Sequence, residues 1–420
     1  MKIIQLLKKI PFLCRLKNRL VQERTDIHRR LSTQKYPRLA KQIARAAHAG
    51  ERTAKVAFIL YELPFWKNEA LFKAMQADAR FTPAFWILEP FYITKEELRR
   101  ERLNQCLEYA QKNNFQHYDN LTLEELRKSF SPDFIFAVQP YAHNIPFEIY
   151  DLKKELPCFI PYCYSNSDGP MLYHDRKIRY FYRYYLESDY IQQEARKYMA
   201  NKARNTRVTG LPMATWLLNT RIKRDNNDRK CIIWAPHWTV GYDEKRALNL
   251  STFLTIGDAM LDITRKHKDQ LTFAFKPHPR LKRELYITPG WGKERTDAYY
   301  RAWQEGENTR LEDGSYTDLF AQSDAMIHDS GSFILEYLLM DKPCMYMMRP
   351  ETLSQFNRST KEALNCYEKG STPEDIEKFI QSVLAGNDPM SAKRQAFIHS
   401  YLLPNNQSPV QNIIEDLLNP

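Results

Sequence analysis

Short apolar runs alternate along the chain with longer stretches in which apolar residues recur every three or four positions. The first half contains four runs with the β-branched and aromatic composition of buried strands: 55–61, 81–88, 133–139 and 158–164. The intervening stretches predict helices near 66–79, 93–113 and 121–130. Strands that alternate with helices of this length indicate βαβ units and a parallel sheet.

The same alternation starts again after a polar segment. Residues 220–230 are charged and show no apolar periodicity, which is typical of a linker. Further strands are predicted at 231–236, 271–277, 324–328 and 343–348, and helices at 252–267, 315–322 and 332–339. The remaining stretch, 373–417, has a largely helical pattern with Pro and Asn breaks.

The pattern therefore predicts an α/β protein with two doubly wound, Rossmann-like domains that face a cleft. The predicted boundaries are an arm at 1–52, an N-terminal domain at 53–219, a linker at 220–230, a C-terminal domain at 231–385 and C-terminal helices at 386–420. Because ligands of such sheets bind beyond the carboxyl ends of the strands, those ends are where candidate residues are sought.

The positive charge of the chain is concentrated at its start. The net charge is +11, and residues 1–52 alone carry 14 Lys and Arg against 3 Asp and Glu. Within this arm, Leu and Ile recur at helical spacing between Lys and Arg, which predicts a basic amphipathic helix broken at Pro11. We expect it to bind an anionic membrane surface; the alternative is a helix that packs on the body and turns its basic face to water.

Composition and missing motifs exclude several classes of protein. GxGxxG, GxxxxGK[ST] and GxSxG are all absent, which argues against classical NAD enzymes, P-loop NTPases and α/β-hydrolases. Seven cysteines without a CxxC pair favour reduced thiols in the cytosol, and no cluster suggests a metal. Since the body is electrically balanced, no nucleic-acid partner is expected. The aromatic stretch 180–190 fits the first domain's core or a domain interface better than a base-stacking platform.

Three strands of the second domain end in a histidine: His237, His278 and His328. Parallel strands bring such ends to one edge of the sheet, so we expect the three to share a site. His278 lies between two prolines, which fix the backbone on either side, and Lys276 and Arg280 add positive charge for an anion.

The segment after the third strand has the composition of a phosphate-binding turn. His328, Asp329, Ser330, Gly331 and Ser332 join the strand to a helix. A serine there could cap the helix, a glycine lets backbone approach a ligand, and helix N-termini attract phosphate. Ordinary capping is the alternative. One turn further, Glu336 could reach a ribose hydroxyl or could simply be a solvent-exposed helix residue.

Three segments of the second half resemble, in this order, the CDP-glycerol glycerophosphotransferase-like family of teichoic acid, capsule and lipopolysaccharide synthesis. They are WAPHWT, FAFKPHPRL and SDAMIHDSGSFILEYLLMDKPCMYM. VTGLP (208–212) is similar to that family's glycine-proline element. The resemblance implies a glycosyltransferase-B fold, peripheral membrane attachment on the cytoplasmic face, and no cofactor. The family's Trp-His-Gly element in the first domain has no match, since the comparable strand end reads IPYCYSNSDGP, with Asp168 and His174 nearby.

The resemblance implies a functional role for His278 and a phosphate-binding role for Ser330 and Ser332, and the other residues named above complete the expected site. His278 and His237 would be catalytic. The donor's phosphates and nucleotide would contact Lys276, Arg280, His328, Asp329, Ser330, Gly331, Ser332 and Glu336. The expected reaction moves an alditol phosphate, such as glycerol phosphate, from a CDP-activated donor to a hydroxyl of a glycan or lipid-linked acceptor in the first domain, and releases CMP. A nucleotide-sugar-dependent glycosyltransferase is the alternative.

Overall fold

The computed structural model describes residues 33–138, 151–152, 154–167, 178–220, 229–241, 243, 248–314 and 316–420. The described residues divide into two compact units. The first comprises those within Met1–Tyr162, Pro170–Pro212 and Pro409–Pro420, and the second those within Cys163–Gly169 and Met213–Ser408. Residues 1–32 of the predicted arm and 221–228 of the predicted linker lie outside the described residues.

The first unit is built on a seven-stranded parallel sheet. Its strands are β1 (Ala54–Leu60), β2 (Phe81–Ile87), β3 (His117–Asp119), β4 (Phe134–Ala137), β5 (Leu156–Phe159), β6 (Arg183–Leu186) and β7 (Thr206–Val208). Their order is β3-β2-β1-β4-β5-β6-β7, with every neighbouring pair parallel. The order reverses direction beside β1, which is the switch point where Rossmann-like sheets bind ligands.

The helices of the first unit cover this sheet. They are α1 (Tyr36–His48), α2 (Glu69–Ala77), α3 (Glu96–Lys112), α4 (Leu123–Ser129) and α5 (Asp189–Tyr198). α4 begins at a capping box between Thr122 and Glu125, the motif that satisfies the free N–H groups of a first turn. Within the aromatic stretch 180–190, Tyr184 and Tyr185 are buried in the first unit, as its apolar character suggested.

Helix α1 corresponds to the end of the predicted arm, and it packs inside the first unit. Its buried residues, among them Ala40 and Ile43, lie on one face, and it contacts the last helix, α15 (Pro409–Leu418). His48 Nε2 lies 3.1 Å from the main-chain oxygen of Leu418. Residues 36–48 of the predicted arm therefore pack on the body, whereas the amphipathic helix predicted around Pro11 lies outside the described residues.

The second unit is built on a six-stranded parallel sheet. Its strands are β8 (Lys230–Ala235), β9 (Leu271–Phe275), β10 (Thr309–Leu311), β11 (Ala325–His328), β12 (Cys344–Met347) and β13 (Glu368–Gly370). Their order, β10-β9-β8-β11-β12-β13, is the Rossmann order, and all pairs are parallel. The first helix of this half, α6 (Pro212–Asn219), begins at the boundary between the units.

The remaining helices pack around this second sheet. They are α7 (Phe253–Lys266), α8 (Leu281–Ile287), α9 (Gly292–Glu305), α10 (Thr317–Gln322), α11 (Phe333–Leu338), α12 (Arg358–Leu364), α13 (Pro373–Leu384) and α14 (Ser391–Phe397). Trp234 of β8 stacks on Phe253 of α7 and on Phe275 of β9, with ring centroids 5.5 and 5.1 Å apart. This buried aromatic core fixes the end of β8, which leads into the candidate site.

The structure confirms the predicted fold class, and every predicted strand is present. The run 158–164 differs, because the strand covers Leu156–Phe159 and ends before Pro161. The predicted C-terminal segment 386–420 is also divided, since α14 lies in the second unit and α15 in the first.

Candidate active site

Two of the three predicted histidines meet at the carboxyl ends of β8 and β9. The imidazole rings of His237 and His278 have centroids 5.3 Å apart in an edge-to-face arrangement. The loops that carry them are joined by a main-chain hydrogen bond from the His278 N–H to the Pro236 oxygen, at 3.0 Å. The two histidines therefore form one cluster at adjacent strand ends.

The hydrogen bonds of His278 define which nitrogen carries its proton. The main-chain N–H of Arg280 donates to His278 Nδ1 at 3.1 Å. Because a main-chain N–H can only donate, Nδ1 is the acceptor and the neutral ring carries its hydrogen on Nε2. Burial, with a smaller effect of the Arg280 charge, lowers the pKa of His278 to about 4. At neutral pH His278 is thus an uncharged ring with an Nε2–H donor.

His237 is held in the same tautomer. The Thr239 hydroxyl oxygen lies 2.9 Å from His237 Nδ1, and the Thr239 main-chain N–H points to the same nitrogen at 3.4 Å. The Thr239 oxygen also accepts from the Leu250 N–H, at 2.9 Å, so its own hydrogen is directed at Nδ1. His237, which is 7% exposed, therefore also carries its hydrogen on Nε2.

An arginine and a tryptophan complete the cluster. The guanidinium of Arg280 lies 3.6 Å from the centroid of Trp238, a cation–π contact that orients the charge. Trp238 also contacts both histidines, with centroids 5.6 Å from His237 and 6.1 Å from His278. The other partner of Arg280 is Glu284, 3.4 Å away. The arrangement combines two neutral N–H donors with one fixed positive charge, which suits a phosphate oxygen.

Asp329 supports this cluster from beneath. One carboxylate oxygen accepts from the His237 main-chain N–H at 2.5 Å, and the other accepts from the N–H and hydroxyl of Thr252 at 2.5 and 2.8 Å. Burial raises the pKa of Asp329 to about 6 against the lowering effect of these bonds. In the structure this carboxylate ties the His237 loop to the start of α7, and the expected contact of Asp329 with a phosphate stays a prediction.

His328 is not part of the cluster surface. It is fully buried, and its ring packs edge-to-face on Tyr346 with centroids 5.0 Å apart. Its Nδ1 lies 3.1 Å from the Ser330 carbonyl oxygen, so Nδ1 carries the hydrogen, the reverse of the other two rings. A fully buried ring has no surface to offer a bound phosphate, which corrects the expectation that three histidines share the site.

This burial gives His328 a measurable effect on stability. Burial lowers its pKa to about 3, so the folded protein binds the proton less tightly than the unfolded chain does. The contribution of the neutral His328 to the free energy of unfolding is complete above pH 6.5 and is lost as the pH falls through and below that value. Between pH 7 and pH 5 we expect His328 to reduce the free energy of unfolding by about 2 kcal/mol.

Urea denaturation of the protein and of His328→Asn at both pH values measures this effect. Asn retains a donor for the Ser330 carbonyl but does not titrate. Between pH 7 and pH 5 the variant should therefore lose about 2 kcal/mol less of its free energy of unfolding than the unchanged protein. Asp329 titrates in the opposite direction in both proteins, and its effect cancels in the comparison. Equal losses in the two proteins would contradict the account.

The turn after β11 is filled by protein atoms. A β-carbon on Gly331 would lie 2.8 Å from Asn166 Nδ2 and 3.3 Å from Leu250 Cδ1. The glycine therefore leaves room for the side chains of Asn166 and Leu250, a packing role that the sequence does not indicate. Ser330 is buried, whereas Ser332 is exposed and occupies the N-cap position of α11 without a capping hydrogen bond. Of the two serines, Ser332 is the one accessible to a ligand.

Lys276 and Glu336 are both buried. The Lys276 ammonium donates to the Gly314 carbonyl at 2.6 Å, which holds the end of β9 to the loop after β10. Glu336 is 3% exposed, so the solvent-exposed alternative is wrong. Glu336 is hydrogen-bonded to Tyr316. Burial raises the pKa of Tyr316, and the Glu336 charge and this hydrogen bond raise it further. The roles of both residues toward a ligand stay predictions.

Other features of the described part of the chain bear on function. No group of three or more His, Cys, Asp or Glu side chains there could hold a metal ion. The cysteines described, at 106, 158, 163, 231, 344 and 366, are all free thiols. None of the helices within these ranges has both the length and the apolar composition needed to cross a membrane.

The two Rossmann-like sheets place the chain in a class of two-domain nucleotide-binding folds, and solved structures of that class are similar to it. UDP-GlcNAc 2-epimerase from Neisseria meningitidis, bound to UDP-GlcNAc, matches with TM-score 0.54 and 13% identity over 87% of this chain and 100% of that one. The wall teichoic acid polymerase TagF matches with TM-score 0.55 and 11% identity over 96% of both chains. At these identities the matches show the fold, which is the glycosyltransferase-B type.

The family follows from the sequence. Residues 176–413 match the family of CDP-glycerol:poly(glycerophosphate) glycerophosphotransferases, and the chain belongs to that family. Both the resemblance and the prediction of a transferase are thereby confirmed. A search of curated proteins finds no match.

The sequence indicated His237 and His278, because each comes directly after a predicted buried strand, and Arg280 as a basic neighbour of His278. It missed Thr239 and Thr252, which orient the cluster through hydrogen bonds. Both follow the first strand of the second unit, but threonines in loops are too common to single out without a structure.

Proposed function

We propose that the chain transfers an alditol phosphate, such as glycerol phosphate, from a CDP-activated donor to a hydroxyl of a glycan or lipid-linked acceptor in teichoic acid or related surface-glycan synthesis. The acceptor hydroxyl loses its proton to solvent as its oxygen bonds to the β-phosphorus, the bond from that phosphorus to the oxygen bridging to the α-phosphate breaks, and CMP leaves. Membership of the glycerophosphotransferase family supports this proposal.

The cluster of His237, His278 and Arg280 is the structural observation that carries the proposal. Phosphoryl transfer depends mainly on positioning and on neutralising charge at the phosphate oxygens. Two neutral Nε2–H groups and a guanidinium supply these at one edge of the sheet. Since the rings are held in place before any ligand binds, they need no reorganisation as charge develops.

His278 acts in this proposal as a hydrogen-bond donor to the phosphate. Its Nδ1 already accepts from Arg280, so its remaining function toward a ligand is to donate from Nε2. His237 donates in the same way, and Ser332 and Arg280 contact the donor's phosphates. Asp329, Ser330 and His328 form the support beneath them. Lys276, Gly331 and Glu336 shape the surrounding loops.

A nucleotide-sugar glycosyltransferase is the alternative, because UDP-GlcNAc-binding enzymes share the fold. The identity of the released nucleotide separates the two. Transfer of glycerol phosphate from CDP-glycerol releases CMP. Transfer of a sugar from a nucleoside diphosphate sugar releases the nucleoside diphosphate.

We also propose that the basic N-terminal segment attaches the enzyme to the cytoplasmic face of an anionic membrane. Residues 1–32 contain nine of the 14 basic residues of the arm. The helix at 36–48 packs within the first unit, so the boundary for a deletion is residue 32 rather than 52.

Vesicle binding tests this attachment. We expect the full chain to bind vesicles that contain anionic lipid and to dissociate as salt rises, because salt screens the attraction. A chain that starts at residue 33 should bind far less. A variant with Lys35, Lys41 and Arg45 changed to Gln is the matched control, since it removes charge from the packed helix and should still bind. Equal binding by the full and shortened chains would refute the proposal.

A further inference from the structure

Three aromatic rings lie together at the carboxyl ends of β1 and β2 in the first unit. Tyr61 follows β1 directly, and Phe91 and Tyr92 lie in the loop after β2. Their ring centroids are 5.8 Å apart for Tyr61 and Phe91, 6.2 Å for Tyr61 and Tyr92, and 5.9 Å for Phe91 and Tyr92. We name these three residues the aromatic triad.

The triad is partly open to solvent. Phe91 has an exposed fraction of 49%, which makes it one of the most exposed large apolar residues among those described. Tyr61, by contrast, is 4% exposed, and its buried hydroxyl has no hydrogen-bond partner among the described residues. Phe91 therefore presents the ring surface that a ligand can reach, and the buried Tyr61 packs against it.

Polar groups of both charges border the rings. The Tyr92 hydroxyl donates to Glu62 at 2.5 Å, and Arg102 lies 3.5 Å from the same carboxylate. Beside them, Arg99 lies 3.9 Å from Glu89. With Glu101, 3.9 Å from Arg102, three carboxylates face two guanidinium groups and leave no excess positive charge, so the surface favours a neutral ligand over a phosphate.

From this geometry we propose that the aromatic triad binds a neutral sugar ring of the acceptor glycan. A pyranose presents an apolar face of C–H groups to an aromatic ring and hydroxyls around its edge. Here an exposed ring meets carboxylate, guanidinium and hydroxyl groups, the combination of apolar and polar contacts typical of small-molecule sites. The position also fits, since ligands of such sheets bind beyond the strand ends beside the switch point at β1.

The assignment of the sugar to an acceptor rests on the proposed function, whereas the binding itself can be measured alone. The probe is N,N′-diacetylchitobiose, a neutral disaccharide, titrated into the full chain without nucleotide and followed by saturation-transfer NMR. Phe91→Ala should raise its Kd by about fivefold or more, because one ring contact is lost. Phe91→Tyr keeps the ring and should retain binding. Tyr198→Ala, which removes an exposed aromatic residue elsewhere in the same unit, is the matched control.

Each outcome bears on the proposal. Saturation transfer that Phe91→Ala weakens and Tyr198→Ala leaves unchanged supports it. The absence of saturation transfer to the disaccharide, an unchanged Kd in a folded Phe91→Ala protein, or competition by glycerol 3-phosphate would overturn it. CDP binding is measured in parallel by thermal shift. A chain that binds CDP and ignores the sugar would refute the triad alone, whereas one that binds the sugar and ignores CDP would refute the proposed donor.

Discussion

Replacing His278 with alanine should lower turnover by about a hundredfold to a thousandfold while the protein stays folded. The loss removes an Nε2–H donor directed at charge that develops on the transferred phosphate. Affinity for the donor should change much less, because this hydrogen bond strengthens mainly in the transition state. His278→Gln retains a side-chain N–H donor and should recover part of the rate. The comparison of kcat and KM across the three proteins checks this expectation.

The pH profile adds an independent measurement. Because the pKa of His278 is lowered to about 4, the ring remains neutral throughout the physiological range. We therefore expect no activity loss from its titration between pH 8 and pH 5. His267→Gln is the matched control: a buried histidine of the same unit that is bonded to Glu377 and lies beside the amino end of β9 rather than at the carboxyl ends of the strands. Near-normal turnover of folded His278→Ala would show that this residue does not act on the phosphate.

Replacing Asp329 with alanine should reduce both stability and turnover. The change leaves three donors, the N–H groups of His237 and Thr252 and the Thr252 hydroxyl, without their buried acceptor. We expect a loss of about 3 kcal/mol in the free energy of unfolding. Turnover should also fall at temperatures where the variant is folded, because the His237 loop loses its anchor. Urea denaturation and kcat at low temperature measure the two effects.

Asp324→Ala is the matched control for this variant. Asp324 accepts a hydrogen bond from the Cys231 main-chain N–H at 2.6 Å, so it also joins β8 to β11. It does so at the amino ends of the strands, away from the histidines. Its loss should reduce stability without a comparable effect on turnover. If Asp329→Ala and Asp324→Ala lose activity equally, Asp329 has no positioning role.

Eight of the thirteen strands described were predicted, because each is a short apolar run that the sheet buries on both faces. The short edge strands His117–Asp119 and Glu368–Gly370 were not, since they are polar and are held by pairing with a neighbour rather than by their own composition. Helix Gly292–Glu305 was missed for a related reason: its buried residues are mostly tyrosine and tryptophan, which a polar sequence around them conceals.

The candidate site was predictable only as far as chain position decides it. His237 and His278 meet because they follow neighbouring strands, which the alternating pattern indicates. His328 is itself the last residue of β11, the strand on the other side of β8, and its ring packs in the core against Tyr346. Which way a side chain turns at a strand end depends on the packing of distant segments. The sequence pattern contains no information on that packing.

The identity of the nucleotide released from CDP-glycerol tests the central proposal most directly. The full chain is incubated with CDP-glycerol labelled in its glycerol, together with membranes that supply glycan acceptors, and the nucleotides are separated by ion exchange. We predict CMP, released in step with the transfer of label to the acceptor and reduced in the His278→Ala protein. Release of CDP, or turnover of UDP-GlcNAc with none of CDP-glycerol, would contradict the proposed phosphoryl transfer.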